Sequence, residues 1–223
     1  MVNKFNFLCL LMLLVAGSVC AQMNPVLGWT PGNPDEVALP VAIIPFGQVD
    51  EAMMDRAHAW VESNLAIKID RFGSRPDIEV GTFDEAAQSA SEMLEDNRVG
   101  IVVMWMPSSD IMNHGAHFPE KRVVIANIQP MYQGENIDDE IIGRRIERQA
   151  IRGVSLLMGL EPSPIPQSVM FAYSSRDELD QIGRNLDPPW LIRLQRRALE
   201  LGFELDRHNP NNMINPFVYD EVE

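Results

Sequence analysis

Along this chain apolar side chains fall into runs and stripes that alternate strand with helix. Val41 to Phe46 is a short apolar run, the pattern of a buried strand. Asp50 stands where an N-cap belongs, and Met54, Ala57, Val61 and Leu65 recur at threes and fours, which predicts a helix to about Leu65. Ile67, Ile69, Ile78 and Val80 predict short strands on either side of a turn at 71–76. Thr82 with Glu85 makes a capping box that opens a helix to about Asp96. Arg98 to Met106 is the strongest strand, a near-continuous apolar run suited to the centre of a sheet, and Arg122 to Ile128 is a second. The longest periodic segment is 137–159, where Ile142, Ile146, Ala150, Val154, Leu157 and Met158 share a face. Gly159 supplies a left-handed stop, and Pro162, Pro164 and Pro166 keep that helix from resuming. A short capped helix follows at 174–179. Asp187 caps the last helix, with Pro188 at its first position and Trp190, Leu194, Ala198 and Leu201 facing inward until Gly202. The order predicts an α/β domain over residues 40–206: a mixed, twisted sheet, one long helix and a mainly helical C-terminal part.

The flanks read differently. Lys4 opens a basic start, Phe5 to Ala16 is apolar apart from Asn6, and Val19, Cys20 and Ala21 form a small-residue cleavage site before Gln22. Residues 1–21 are therefore expected to be a secretory signal, which sends the chain to the periplasm or the extracellular medium. The apolar run is too short to span a bilayer and no second one follows, so no membrane association is expected after cleavage. A lipid anchor at Cys20 fits poorly with Val19 directly before it. Cleavage would remove both Cys9 and Cys20, leaving no disulfide. Residues 22–39 form an extended Pro- and Gly-rich arm with Leu27 and Trp29 as apolar anchors. Residues 207–223 form an Asn- and Pro-rich acidic tail, ordered in part, with Phe217 and Tyr219 available to dock it.

Charge narrows the partners. Without Lys4 the 18 Lys and Arg become 17 against 32 Asp and Glu, a net charge of −15. Such a surface repels nucleic acid and anionic membrane alike, so neither is expected as a partner.

The candidate chemistry lies on the long helix and beyond it. Arg152-Gly153-Val154-Ser155-Leu156 is followed by Gly159, Pro162, Ser163, Ser168 and Met170, and then by Pro188 and Leu191. That frame resembles the archaemetzincin family of zinc metalloproteases, whose signature is H-E-x-x-H-x-x-G-x-x-H-C-x4-C-x-M-x17-C-x-x-C. Anchored on Gly159, the signature fits without a gap. Its three histidines fall at Arg152, Leu156 and Pro162, and its glutamate falls at Gly153. Its cysteines fall at Ser163, Ser168, Pro188 and Leu191, and its methionine at Met170. The run from Val41 to Asp50, a strand leading through Pro45, Gly47 and Val49-Asp50 into a helix, resembles the start of the family's domain. The resemblance implies a metzincin-like domain in which Met170 lies beneath the long helix. It also implies that no catalysis survives. Arg152 is a cation without a free lone pair, Leu156 and Pro162 carry no donor, and Gly153 cannot deprotonate water. The structural four-cysteine site is lost as well, so zinc is expected at neither place. Trp190 and Leu191 would then hold the last helix by apolar burial, about 3–6 kcal/mol together.

Two further clusters carry open alternatives. His114 and His117 in the segment 107–117 are either a replacement metal site with Asp110 as third ligand or solvated loop residues. That segment falls where the family keeps the edge strand that receives substrate peptide. Arg144, Arg145, Arg148 and Arg152 concentrate positive charge on the long helix, and Arg145, Gln149, Arg152 and Leu156 share one side of it. Arg152 either binds an anion such as a peptide carboxylate in the old cleft, or pairs with an acidic neighbour such as Glu161, or points to solvent. Three functions are open: a peptide- or protein-binding pseudoprotease, a hydrolase built on His114, His117 and Asp110, or a structural domain without ligand.

Overall fold

The computed structural model describes residues 37–214. The expectations for 1–21 with Cys9 and Cys20, for Leu27 and Trp29, and for Phe217 and Tyr219 lie outside the described residues.

The run Ile101–Trp105 forms strand β3, with every side chain buried, at the middle of a five-stranded sheet. Its companions are β1 (Ala42–Phe46), β2 (Asp70–Arg71), β4 (Gly115–Phe118) and β5 (Val123–Asn127), in the order β2-β1-β3-β5-β4. All pairs are parallel except β4 with β5, where His117 stands opposite Val124 and Phe118 opposite Val123. The helices are α1 (Glu51–Leu65), α2 (Phe83–Ser91), α3 (Asp139–Leu157), α4 (Arg176–Gln181) and α5 (Pro188–Glu200). The near-continuous apolar pattern of β1, β3 and β5 has a direct cause: both faces of the sheet are covered. Val102 and Met104 enter the larger core with Met54, Val61, Ile146 and Val154 of α1 and α3. Ile101, Val103 and Trp105 enter the smaller one with Ala86, Ala87 and Ala90 of α2. Each such Val or Ile side chain, fully buried, stabilises the fold by about 1.5–3 kcal/mol.

Local signals set the helix ends. Asp50 accepts from the Ala52 amide at 2.8 Å, Thr82 from Glu85 at 3.2 Å and Asp138 from Ile141 at 2.8 Å. Three expectations need correction. Ile78 and Val80 form no strand; they lie half-buried against the smaller core, and only Asp70–Arg71 and an isolated bridge at Arg75 extend the sheet beyond β1. The helix begun at Thr82 ends at Ser91, not Asp96, because the amides of Met93 and Leu94 turn to Ala90 and Ser91 and carry those two side chains back onto the smaller core. The segment 107–117 is not loop throughout, since Gly115–Phe118 is an antiparallel edge strand. The domain also reaches past its expected limits. Leu39 bridges to Arg98, and Asn209 and Asn211 donate to the Ser63 carbonyl at the end of α1, both at 2.9 Å.

Arginines fix the position of α3. Arg56 of α1 spans Glu140 and Glu147, both at 2.7 Å, and Gly143 leaves it passage: a Cβ there would lie 2.5 Å from the guanidinium carbon. Arg145, 4% exposed, grips Asp180 at 2.6 Å and donates to the carbonyls of Met131 and Gln133, both at 3.0 Å. Arg148 donates to the carbonyls of Arg144, Gly183, Asp180 and Ile182. These cations are therefore spent on carboxylates of α3 and α4 and on backbone carbonyls.

Replacing Arg145 with Met would leave two carbonyls and a partly buried carboxylate unpaired. The expected cost is about 2–4 kcal/mol, read from the urea midpoint; a loss under about 1 kcal/mol would show that these contacts contribute little. Glu140 is held down to about 2 by hydrogen bonds from Arg56 and Arg144. A carboxylate depressed on folding contributes stability above its unfolded pKa of about 4.5, lost as pH falls towards 2. Glu140→Gln should flatten the fall in melting temperature across that window, and an unchanged slope would contradict the assignment.

Candidate functional site

The site begins where α3 stops. Gly159, at φ 83°, lets the chain close a Schellman cap: its amide donates to Leu156 at 2.9 Å, and the Leu160 amide donates to Ser155 at 2.9 Å. The proline run then carries the chain away, and it returns so that the Ser163 amide donates to the Met170 carbonyl at 3.0 Å. The returning turn lies against α3. Arg152 donates through Nη1 to the carbonyls of both Val169 and Phe171, the latter at 2.8 Å, while its guanidinium carbon sits 4.8 Å from the centre of the Tyr173 ring. Met170 between those carbonyls is 1% exposed, in the same core as Val154 of α3. The side chain at the first ligand position thus fastens the methionine turn to the helix.

The second half of the frame is tied without thiolates. Ser163 Oγ donates to Asp187 Oδ2 at 2.8 Å, and Asp187 Oδ1 accepts from the Trp190 amide at 3.3 Å. One buried carboxylate therefore caps α5 and anchors the proline loop. The Val169 amide donates to Asn185 at 2.8 Å, and Gly183 passes so close that a Cβ there would lie 1.6 Å from the Gln167 carbonyl oxygen. Leu191 is buried, as expected. Trp190 is only half-buried, and it holds the loop through its indole N–H to the Glu161 carbonyl at 2.8 Å. Polar bonds share the task expected of apolar burial alone.

Between α3 and β4 lies a cleft of about 380 Å³. Gln149, Arg152 and Leu156 form one wall, and Gly115 to His117 form the other. Tyr173 stands between them, accepting from Gln149 Nε2 at 2.7 Å, with the His114 ring centre 5.6 Å from its own. His117, opposite Val124, is on the face of the sheet that carries α3. Asn127, fully buried, donates to the carbonyls of Ile111 and Asn113 and so shapes the approach to β4. No Asp or Glu among the described residues lines the cleft.

The electrostatics derive from this lining. Desolvation pulls His114 below the usual histidine value, aided by the Arg176 charge, and desolvation also lowers His117 against a small opposing effect of Glu120. Both are uncharged at neutral pH. Burial raises Tyr173, which keeps its proton, and lowers Arg152, which stays a cation. Arg152 is then the one charged side chain lining the cleft among the described residues. It does not pair with Glu161, which is exposed, and its Nε and Nη2 hold no hydrogen bond to any described residue.

The expected residues divide accordingly. Arg152, Gly153, Leu156, His114 and His117 all border the cleft, whereas Pro162 and Asp110 are exposed and outside it. Among the described residues no three of His, Cys, Asp and Glu converge on a point that could hold a metal ion, so Asp110 does not complete a site with His114 and His117. Nor do the residues in the signature frame fit zinc. Leu156 and Pro162 bring no donor, and Arg152 is committed to two carbonyls. Gly153 lies so close to β3 that a Cβ would meet Val102 Cγ1 at 2.7 Å. Nothing in the residue pattern singles out Tyr173 or Asn127. The only trace of Tyr173 there is its place three residues after Met170.

No family model matches the chain, and no curated protein matches it in sequence. Solved structures do. A zinc-dependent peptidase from Methanocorpusculum labreanum superposes with a TM-score of 0.56 at 14% identity, over 69% of this chain and 99% of that one. Archaemetzincin from Methanopyrus kandleri gives 0.57 at 14% identity, over 74% and 98%. Archaemetzincin from Archaeoglobus fulgidus, complexed with malonate, gives 0.53 at 9% identity, over 69% and 99%. At these identities the likeness is one of architecture, and the signature frame, the sheet order and these superpositions agree: the chain has the archaemetzincin fold.

Proposed function

We propose that this chain is a degenerate archaemetzincin relative, an exported pseudoprotease that binds peptide or protein segments without cleaving them. The observation that carries this reading is an open cleft between an edge strand and the long helix, with an arginine at the first ligand position. β4 pairs with β5 on one side only, among the described residues. Its other edge leaves backbone N–H and C=O groups that an extended segment can satisfy as an added strand. The segment would run past Tyr173, His114 and Arg152. None of these supplies the activated water that hydrolysis requires: Gly153 holds no carboxylate, and burial keeps both cleft histidines below their usual basicity, Glu120 only partly offsetting it at His117. Binding is what the lining can offer. Export rests on residues 1–21, and N-terminal sequencing of the secreted form should begin at Gln22.

Two measurements test the proposal. The purified chain, exposed to zinc and then dialysed, should keep far less than one zinc per molecule, while a pool of extended peptides should slow hydrogen exchange in 115–118. One tightly held zinc per chain, with chelator-sensitive peptide hydrolysis, would overturn it. Restoring Arg152→His, Gly153→Glu, Leu156→His and Pro162→His together should not restore activity. Position 153 has no room beside Val102, at an expected cost of about 1–3 kcal/mol, and the bonds that hold the Met170 turn are lost. An active, fully stable quadruple variant would refute this account of the loss.

A further inference from the structure

The chemistry of the cleft selects a narrower ligand than peptide binding alone requires, a choice that presupposes that the cleft binds peptide. Arg152 commits Nη1 to the Val169 and Phe171 carbonyls, so the guanidinium is held rigidly while Nε and Nη2 remain without a protein partner among the described residues. Tyr173 stacks on the same guanidinium and accepts from Gln149 Nε2, which leaves its own O–H proton to donate. Two donor groups, one of them cationic, therefore border a half-enclosed space. Among the described residues no carboxylate lines that space, in a chain with 32 acidic residues. A fixed cation of this kind, unneutralised by its own protein, is a site for an anion. A planar carboxylate can meet the free Nε/Nη2 edge of the fork in parallel hydrogen bonds.

We propose that the cleft is a carboxylate receptor, in which Arg152 Nε and Nη2 with the Tyr173 hydroxyl hold the carboxylate of a peptide segment paired along the free edge of β4. The carboxylate comes either from the C-terminus of the segment or from an acidic side chain within it. Both sources present the same planar acceptor, and the location of β4 beside Arg152 admits both. The preorganisation is specific to the arginine. A lysine would offer a charge without the second pair of parallel donors, and its single ammonium could not bond the turn and a ligand with the same geometry.

The test compares N-acetylated tetra-alanine with a free C-terminal carboxylate, the same peptide amidated, the amidated peptide with one internal glutamate, and succinate. Each is titrated into the full mature chain by calorimetry, with the amides of 115–118 followed by NMR. A carboxylate-bearing peptide should bind about tenfold or more tightly than the neutral amide, as charge-assisted hydrogen bonds do. Whichever of the two wins identifies the source. Arg152→Gln should abolish the difference. Should that variant fold poorly, Tyr173→Phe keeps the ring over the guanidinium and removes one donor, and it should weaken the acid severalfold while leaving the amide unchanged. Equal binding of acid and amide, with shifts in 115–118, would overturn the carboxylate assignment and leave peptide binding standing. Succinate binding that depends on Arg152, with no response to any peptide, would keep the carboxylate site and remove the peptide. Absence of all binding overturns both.

Discussion

One cation holds the site together. Arg152 reaches from α3 to the carbonyls on both sides of Met170, and through them it fixes the return of the chain after the proline run. Without a tie at this point, two partly buried carbonyls would face a helix that could not satisfy them, and the turn around Met170 would lose its hold on α3. A metal ion and an arginine solve the same mechanical problem by opposite means. A metal gathers lone pairs from side chains; the guanidinium donates hydrogen bonds to backbone carbonyls. A guanidinium holds such a turn without lone pairs or an open coordination position, so it cannot stand in for a Lewis acid.

A second polar tie stands at the start of α5. Asp187 is an N-cap in its own right, and Ser163 converts it into a crosslink to the proline loop. Gly183 and Val169 then close the loop against the segment before α5. Each contact is modest, a net contribution of about 1 kcal/mol for a hydrogen bond. Their location in a half-enclosed shell over a large apolar core is what makes them sufficient. The arginines of α3 contribute in the same way, by taking carbonyls that a loop-rich C-terminal half would otherwise leave unpaired.

Charge is partitioned by this arrangement. Acidic side chains dominate the chain, yet none among the described residues lines the cleft; Arg144, Arg145 and Arg184 pair with Glu140, Asp180 and Glu147, whereas Arg148 and Arg152 donate to backbone carbonyls. An acidic exterior repels most anions at long range, so a carboxylate that binds here must do so by close, directional contact rather than by steering. Selectivity in such a site comes from geometry.

How far the residues alone specify this molecule can be judged from particular places. The apolar runs of β1, β3 and β5, the caps at Asp50, Thr82 and Asp187, and the stop at Gly159 are local signals, and each one marks the right element because its physics acts over a few residues. The spacing from Arg152 to Leu191 carries the fold as well, since a signature frame is a one-dimensional record of a three-dimensional constellation. The partners of Arg152 cannot be read that way. Its bonds go to backbone carbonyls 17 and 19 residues on, and backbone acceptors are alike at every position of a sequence. Glu161, an acidic residue close by along the chain, is the natural partner by distance in sequence, yet the folded turn points elsewhere. Tyr173, Asn127 and the free edge of β4 belong to the same class: a phenol, an amide and a four-residue strand gain meaning only once the sheet places them around one space. The sequence determined the main strands and helices and the side chains that stand at the signature positions, because those are properties of side chains in order. The tertiary structure alone decided what Arg152 and Ser163 hold, because that depends on which distant atoms the packing brings within reach.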